Sequence, residues 1–420
     1  MKTKYLTLML LLLTVGAAAQ TTRTQMYRDL GRTGSNYFAY PGPSQTVLTP
    51  APAGYEPFYI SHYGRHGSRF MTDNKYYVQA ISALDTAAKE GILSTKGAEV
   101  LEKLRKGYAD AWNRDGDLTP LGGRQHREIA HRMYDRFPEL LSQPLKVDAR
   151  SSTVGRCMIS MFNFCQELQG LNPALEIRMD ASKRDMKFVV EDHGVKPGKT
   201  EVTKDFDRRI DAIRDKAHNP ARLMKTLFTD VRRAGELVDG KELMEALYNV
   251  AEDQQNIPES GISLMDLFTK EELFNMWTGY NAGWLLSCGL IPGSTPTYLQ
   301  QKGVRDSIES IADRVIRVGK PTLSLRFSHD SSVLPLAYMM GLKEAMGATT
   351  NIENLYKTIS IDRIIPMAAN IQLIFYRKEG CDDVLVKFLL NENETTLPIQ
   401  TDCAPYYHWE DVKSYWEEHP

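Results

Sequence analysis

Several common features are missing from this sequence, and each absence narrows what the protein can be. There is no excess of charge of one sign: 51 Lys and Arg against 53 Asp and Glu leave a formal net charge of −2. Such a chain has no broad field to draw in nucleic acid or an acidic membrane surface, so any anion must be met locally by a few converging cations. The zinc spacings H-E-x-x-H and C-x-x-C are absent, as is the nucleotide loop G-x-x-x-x-G-K, so no metal and no cofactor is expected. No internal repeat occurs. Cysteine is scarce and odd in number, five in 420 residues, which leaves at least one thiol unpaired. Beyond the first twenty residues no apolar run approaches the roughly 20 residues needed to span a bilayer.

Those first residues are a separate object. Lys2 and Lys4 precede a mostly apolar run from Tyr5 to Gly16, and Ala17-Ala18-Ala19 supplies small residues before Gln20. This is the pattern of a secretory signal peptide over 1–19. The mature protein is therefore expected to be exported, periplasmic or secreted, with no membrane association once the signal is removed. Cys157 and Cys165 lie eight residues apart on an expected helix, about 12 Å at ~1.5 Å per residue, too far for a bond. Cys381 and Cys403 flank an expected strand and its return and are the disulfide candidates, free thiols being the alternative.

Residues 20–54, rich in Gly, Pro, Ser and Thr, read as an irregular N-terminal arm. Phe58-Tyr59-Ile60 reads as a short buried strand, followed by helical patterns over Asn74–Glu90, Thr95–Trp112 and Pro120–Phe137. The last of these opens on a Thr119 cap with proline in the first helical position. Further strands are expected at Leu145–Ala149, Thr322–Phe327, Ala369–Tyr376 and Val384–Leu390, with helices over Thr153–Leu168 and Ser331–Met340. Between Asp185 and Val318 nearly every segment is helical in pattern. Strands alternating with helices at both ends predict an α/β fold: a central, mostly parallel sheet flanked by helices, interrupted by a mainly helical cap. The core is expected over 55–180 and 319–420 and the cap over 181–318, with 71–117 contributing partly to the cap.

Chemistry concentrates where strands end. Arg65-His66-Gly67-Ser68-Arg69 follows the first strand. Arg150-Ser151-Ser152-Thr153-Val154-Gly155-Arg156 follows the second, and Ser328-His329-Asp330 the third. Open α/β sheets place ligand groups just past the carboxyl ends of their strands. The residue types suit phosphoryl transfer. Arginine forks bind phosphate oxygens in pairs, a neutral imidazole is a nucleophile near neutral pH, and a carboxylic acid can protonate a leaving oxygen. Gly67 is expected to let backbone approach the anion closely.

On these residues the sequence resembles the histidine acid phosphatases, the second branch of the histidine phosphatase superfamily. Residues 65–69 match the family's R-H-G-x-R signature, and Leu118-Thr119-Pro120-Leu121-Gly122 with Gln125 matches L-T-x-x-G-x-x-Q. Arg150-Ser151-Ser152-Thr153 with Arg156 is similar to R-S-T…R, and His329-Asp330 matches the H-D pair. The resemblance implies His66 as nucleophile, Asp330 as acid, and Arg65, Arg69, Arg156 and His329 as phosphate ligands. Ile365-Pro366-Met367-Ala368-Ala369-Asn370 and Lys387-Phe388-Leu389-Leu390-Asn391-Glu392 look most like multiple inositol polyphosphate phosphatases and phytases. There are two departures. Met71 stands where the family usually has proline, and His329-Asp330-Ser331 stands where the inositol polyphosphate branch often has His-Ala-Glu.

Other polar residues carry blander expectations. Arg150 is read as a structural ion-pair partner, His62 as structural, and His126 and His131 as surface or packing residues on different helix faces. Ser328-His329-Asp330 cannot be a hydrolase triad, because neighbouring residues in a strand point to opposite faces. Lys183, Arg184 and Lys187 are either contacts to the outer phosphates of a polyphosphorylated substrate or a solvated basic face. The expected partner is a small-molecule phosphomonoester, phytate or a sugar phosphate, and no nucleic acid. A phosphate-transferring mutase and a non-catalytic phosphate binder are the competing readings.

Overall fold

A computed structural model describes residues 22–419, so the signal-peptide reading of 1–19 lies outside the described residues. The organising element is an eight-stranded mixed sheet in the order β3–β2–β4–β1–β5–β6–β7, with β8 also paired to β6. Its strands are β1 (Tyr55–Arg65), β2 (Lys146–Ser151), β3 (Glu176–Asp180), β4 (Thr322–Ser328), β5 (Asn370–Lys378), β6 (Val384–Leu390), β7 (Asn393–Glu394) and β8 (Tyr406–His408). The first four in spatial order run parallel, and the rest add in antiparallel fashion. The α/β expectation holds, with helices packed on the sheet.

β1 is longer than the sequence suggested: it continues past Ile60 through Ser61, His62, Tyr63 and Gly64 to Arg65. Those polar and small residues hid the strand, because a central strand buried on both faces shows no polar–apolar alternation. Side chains still alternate along it. Tyr59 and Tyr63 pack on one face with Leu373 and Phe375, while Ile60 packs on the other with Leu325 and Ile374. The helix Lys302–Val318 presents Val304, Ile308, Ala312 and Val315 to the first of these faces. That spacing makes one apolar stripe, so the end of the 181–318 segment rests on the sheet. A separate apolar core joins the helices Lys75–Lys89 and Thr95–Ala111 to Leu223, Leu247 and Met276 of the helical middle.

The arm departs from the irregular reading. Residues 22–28 are helical and Leu30–Tyr37 forms a 3-10 helix capped by the Asp29 carboxylate, which accepts from Gly31 N. Arg32 pairs with buried Asp362 at 2.9 Å, and the Tyr40 hydroxyl donates to Glu392 at 2.8 Å. Tertiary partners hold this segment, so its loop-like composition did not reveal its order. Cys381 and Cys403 are not bonded to one another, and all five cysteines are free. Cys381 sits exposed in the β5–β6 turn, whereas Cys403 turns toward the Thr401 hydroxyl at 3.3 Å and the Tyr406 carbonyl at 3.6 Å.

Candidate active site

Parallel register brings three strand ends together. Arg65 pairs opposite Ser328, and Ser151 pairs opposite Phe327. The loops that leave those ends carry His66, Arg156, and His329 with Asp330. His66 is 1% exposed. Its Nδ1 lies 2.9 Å from the Gly67 carbonyl; a carbonyl only accepts, so Nδ1 carries the proton and Nε2 keeps its lone pair. Burial first, then Arg65, Arg69 and Arg156, holds the imidazole well below the ordinary histidine range. It stays neutral into acid.

Three guanidiniums surround it. Arg65 is fully buried, donates to the Asn36 and Ile365 carbonyls at 2.5 and 2.8 Å, and pairs with Asp330 at 2.7 Å. Arg69 donates to the Phe70 carbonyl and lies 4.7 Å from the Tyr37 ring centroid. Among the described residues, the buried Nε atoms of Arg69 and Arg156 have no protein partner. A buried donor without a partner is costly unless a ligand satisfies it, which fits an anion-binding clamp. His329 stands with its ring 5.7 Å from that of His66, and its Nε2 is 3.1 Å from the Ser152 hydroxyl. His66, Arg65 and Arg69 are buried, whereas Arg156, His329 and Asp330 are half-buried and form the mouth.

Asp330 begins the helix Asp330–Met339. Burial pushes its carboxyl up, but Arg65, Arg69 and the Asn36 amide outweigh it and hold it down at about 2. Asn36 Nδ2 donates to Asp330 Oδ2 at 2.8 Å. Glu191 accepts from the Ser331 hydroxyl at 3.0 Å and also from Ser332, tying the segment between β3 and β4 to the first turn of the acid's helix.

The L-T-P-L-G segment is the seat of the histidine loop. Thr119 donates from its backbone N and its hydroxyl to the Ser68 carbonyl, and Gln125 accepts from Ser68 N at 2.8 Å. A Cβ on Gly67 would stand 2.4 Å from the Gly122 carbonyl oxygen, and one on Gly122 would stand 2.2 Å from the Ser68 oxygen. Gly67 therefore serves close approach to the helix Pro120–Arg136, a role the sequence did not suggest. The segment Pro366–Ala369 closes the other side: Arg65 N donates to the Ala369 carbonyl and Ala368 N to the His66 carbonyl.

Thus His66, Arg65, Arg69, Arg156, His329 and Asp330 converge. Lys183, Arg184 and Lys187 do not join them; they are exposed on the turn after β3, with Arg184 paired to Asp185 at 3.2 Å. Arg150 pairs with Asp148 at 3.0 Å and with Asp185. His62 and His126 are buried against Phe164 and Phe327. His131 is exposed beside Glu167. Sequence reasoning missed Asn36, Tyr37 and Glu191, which lie far along the chain from any motif. It also missed Asp253, a buried carboxyl pushed up to about 7 by burial against the opposing pull of Arg69. Asp253 accepts from Met71 N at 3.1 Å, at the position where the family usually has proline.

A sheet of this topology, with a neutral histidine set among arginines at its parallel strand ends, defines a class of enzyme: the histidine phosphatases. The chain belongs to the histidine phosphatase superfamily, branch 2, whose family model matches residues 64–391. It is 22% identical over 387 residues to multiple inositol polyphosphate phosphatase 1 of Gallus gallus, covering 87% of this chain and 83% of that protein. Multiple inositol polyphosphate phosphatase of Bifidobacterium longum, solved with inositol hexasulfate, superposes with a TM-score of 0.74 at 19% identity, covering 92% of this chain and 98% of that one. The phytase from D. castellii superposes with a TM-score of 0.65 at 13% identity, covering 93% and 85%. These two likenesses show the shared fold.

Proposed function

We propose that this protein hydrolyses phosphomonoesters through a phosphohistidine on His66, with inositol polyphosphates as the substrate class. The observation that carries the reading is the His66 Nδ1 bond to the Gly67 carbonyl, which aims an unprotonated Nε2 into a cluster of three arginines. The substrate phosphate sits among Arg65, Arg69, Arg156 and His329. Nε2 attacks phosphorus in line, the N–P bond forms as the P–O bond breaks, and Asp330 passes a proton to the departing oxygen. Water, relieved of a proton by the same carboxylate, then attacks the phosphohistidine and releases phosphate. Fixed cations that meet the equatorial oxygens supply most of the acceleration.

In the free enzyme Asp330 is ionised above pH about 2, so its proton must arrive with the substrate. A phosphate in the clamp competes for Arg65 and Arg69, which raises the carboxyl, and a monoanionic ester brings the proton to give it. Activity should therefore rise toward acid, where neutral His66 is not yet lost. The likeness to inositol polyphosphate phosphatases and phytases supports the substrate class. So does the basic turn after β3, three strand positions from β1, about 14 Å at ~4.8 Å per strand. From there Lys183, Arg184 and Lys187 can meet phosphates remote from the one being cleaved. Export follows from the N-terminal pattern and is tested by sequencing the mature N-terminus, expected at Gln20.

The deciding experiment assays phosphate release from a panel that includes inositol hexakisphosphate, a sugar phosphate and p-nitrophenyl phosphate, over roughly pH 3 to 8. Inositol hexakisphosphate is expected to give the highest kcat/KM, with an acid optimum. Quenching during turnover should trap an acid-labile, base-stable phosphoryl group on His66, and His66→Ala should abolish turnover. An adduct on Ser68, or turnover that survives in His66→Ala, overturns the mechanism.

A further inference from the structure

At the far end of the sheet from His66 lies a second group of chemically potent side chains. β1 runs from Tyr55 to Arg65, so its two ends stand about 33 Å apart at ~3.3 Å per residue. Tyr55 pairs opposite Lys378, where β5 turns toward β6. β8 returns along β6 with His408 opposite Leu385. This places His408 beside Asp383, and its Nδ1 is 3.0 and 2.9 Å from the two Asp383 oxygens. Its Nε2 points the other way, 3.0 Å from Asp402 Oδ1. Cys403 completes the group: one donor atom each from Asp402, Cys403 and His408 all lie within 4.8 Å of one another.

The turn that presents these atoms is built. Thr401 donates its hydroxyl to the Tyr406 carbonyl at 2.8 Å and accepts from Cys403 N at 3.3 Å, which fixes the thiol on the side of His408. We propose that Asp402, Cys403 and His408 form a binding site for a zinc-class divalent transition metal, with Asp383 as the outer partner that orients His408. A thiolate, an imidazole and a carboxylate are the ligand types of zinc, and magnesium and calcium select oxygen-only sets. Tetrahedral bonds of about 2.0–2.3 Å put ligand atoms roughly 3.3–3.8 Å apart. The Asp402–His408 separation of 3.0 Å would open slightly, and the other separations, all within 4.8 Å, need only a short movement of side chains that are partly exposed. Asp383 on Nδ1 does what outer carboxylates do in histidine–metal sites: it fixes the tautomer, so that Nε2 faces the metal. Water or a further group takes the fourth position.

The metal would close the segment 402–408 on itself beside the β5–β6 turn, remote from the phosphate clamp. It is therefore a stabilising site and takes no part in the reaction at His66. The second thiol, Cys381, lies 3.8 Å from the Tyr55 hydroxyl, which in turn donates to Asp383 at 3.1 Å. A Cys381–Cys403 bond under oxidation would consume the Cys403 ligand, so the test is run on reduced protein.

The full-length protein, kept in a non-chelating reductant, is stripped with chelator, dialysed, and titrated with zinc, with cobalt(II), and with magnesium as control. One equivalent of zinc should bind and raise Tm. Cobalt should give a thiolate-to-metal charge-transfer band together with the strong visible bands of tetrahedral geometry. Cys403→Ser and His408→Ala should each abolish the equivalent and its bands, while Asp383→Asn should weaken affinity by about 10–100-fold. Phosphate release should be unchanged in all three variants, and circular dichroism confirms that each is folded. No zinc uptake by the reduced protein, or undiminished uptake in folded Cys403→Ser and His408→Ala, overturns the site. So does a cobalt spectrum without the thiolate band.

Discussion

Asp330 is the residue on which the proposed chemistry can be taken apart. An alkoxide leaving an inositol or sugar phosphate is strongly basic and needs a proton, whereas nitrophenolate leaves nearly unassisted. Asp330→Asn keeps the size and the contact with Asn36 but removes the acid. The expected loss is roughly 10²–10⁴-fold on alkyl phosphates and much smaller on p-nitrophenyl phosphate, read in the burst phase where P–O cleavage is isolated. Equal losses on both substrates would take the acid's role away from Asp330. A second prediction concerns His62 and His126, which burial holds down to about 3 from 6.5. In the unfolded chain they take up protons below pH 6.5; in the folded protein they resist until about 3. Stability should therefore fall as pH drops through that window, by up to ~1.4 kcal/mol per pH unit for each histidine. His126→Leu should flatten the urea-midpoint profile by one histidine's share, and an unchanged slope would refute the assignment.

At the scale of elements, the histidine loop and the helix Pro120–Arg136 meet backbone to backbone. Gly67→Ala or Gly122→Ala must push the two apart, since the atom nearest each added Cβ is a backbone oxygen that cannot swing aside. Overpacking of this kind costs about 1–3 kcal/mol, and a ~1 Å displacement of the nucleophile costs on the order of 10²-fold in rate. Gly170, in the helix Gly155–Leu171, faces open space. There Gly170→Ala should raise Tm, by up to ~1 kcal/mol of stability, and leave kcat alone. If Gly122→Ala behaved like Gly170→Ala, the close approach would not be what seats the loop.

At the scale of the whole molecule, the N-terminal segment crosses the mouth of the site and supplies Asn36 to Asp330 and Tyr37 to Arg69. Removing the Asn36 amide takes a charge-assisted hydrogen bond from the carboxylate, worth ~1.5–3 kcal/mol. Asn36→Ala is expected to lower kcat by about 10–100-fold and to raise the Asp330 carboxyl, so that the basic limb of the pH profile moves up. The same lost hydrogen bond should lower Tm by a few degrees, so the pH profile is the deciding readout. A Tm loss with an unmoved pH profile would give Asn36 a purely structural role.

The sequence by itself determined the α/β class, the helical middle, and six residues of the candidate site. Strand ends and R-H-G-x-R chemistry are local, set by neighbours along the chain. The Thr119-Pro120 cap was legible for the same reason, and it recurs in the structure with Thr119 accepting from Gly122 N. Only the tertiary structure decided that β1 runs on to Arg65, because burial on both faces erases the alternation that marks a strand. It alone placed Asn36, Tyr37, Glu191 and Asp253 at the site, since each arrives through packing across long stretches of chain. It also gave Gly67 a close contact with Gly122 that the sequence did not suggest. The residue type alone does not decide this; what a glycine makes room for depends on which backbone folding brings against it.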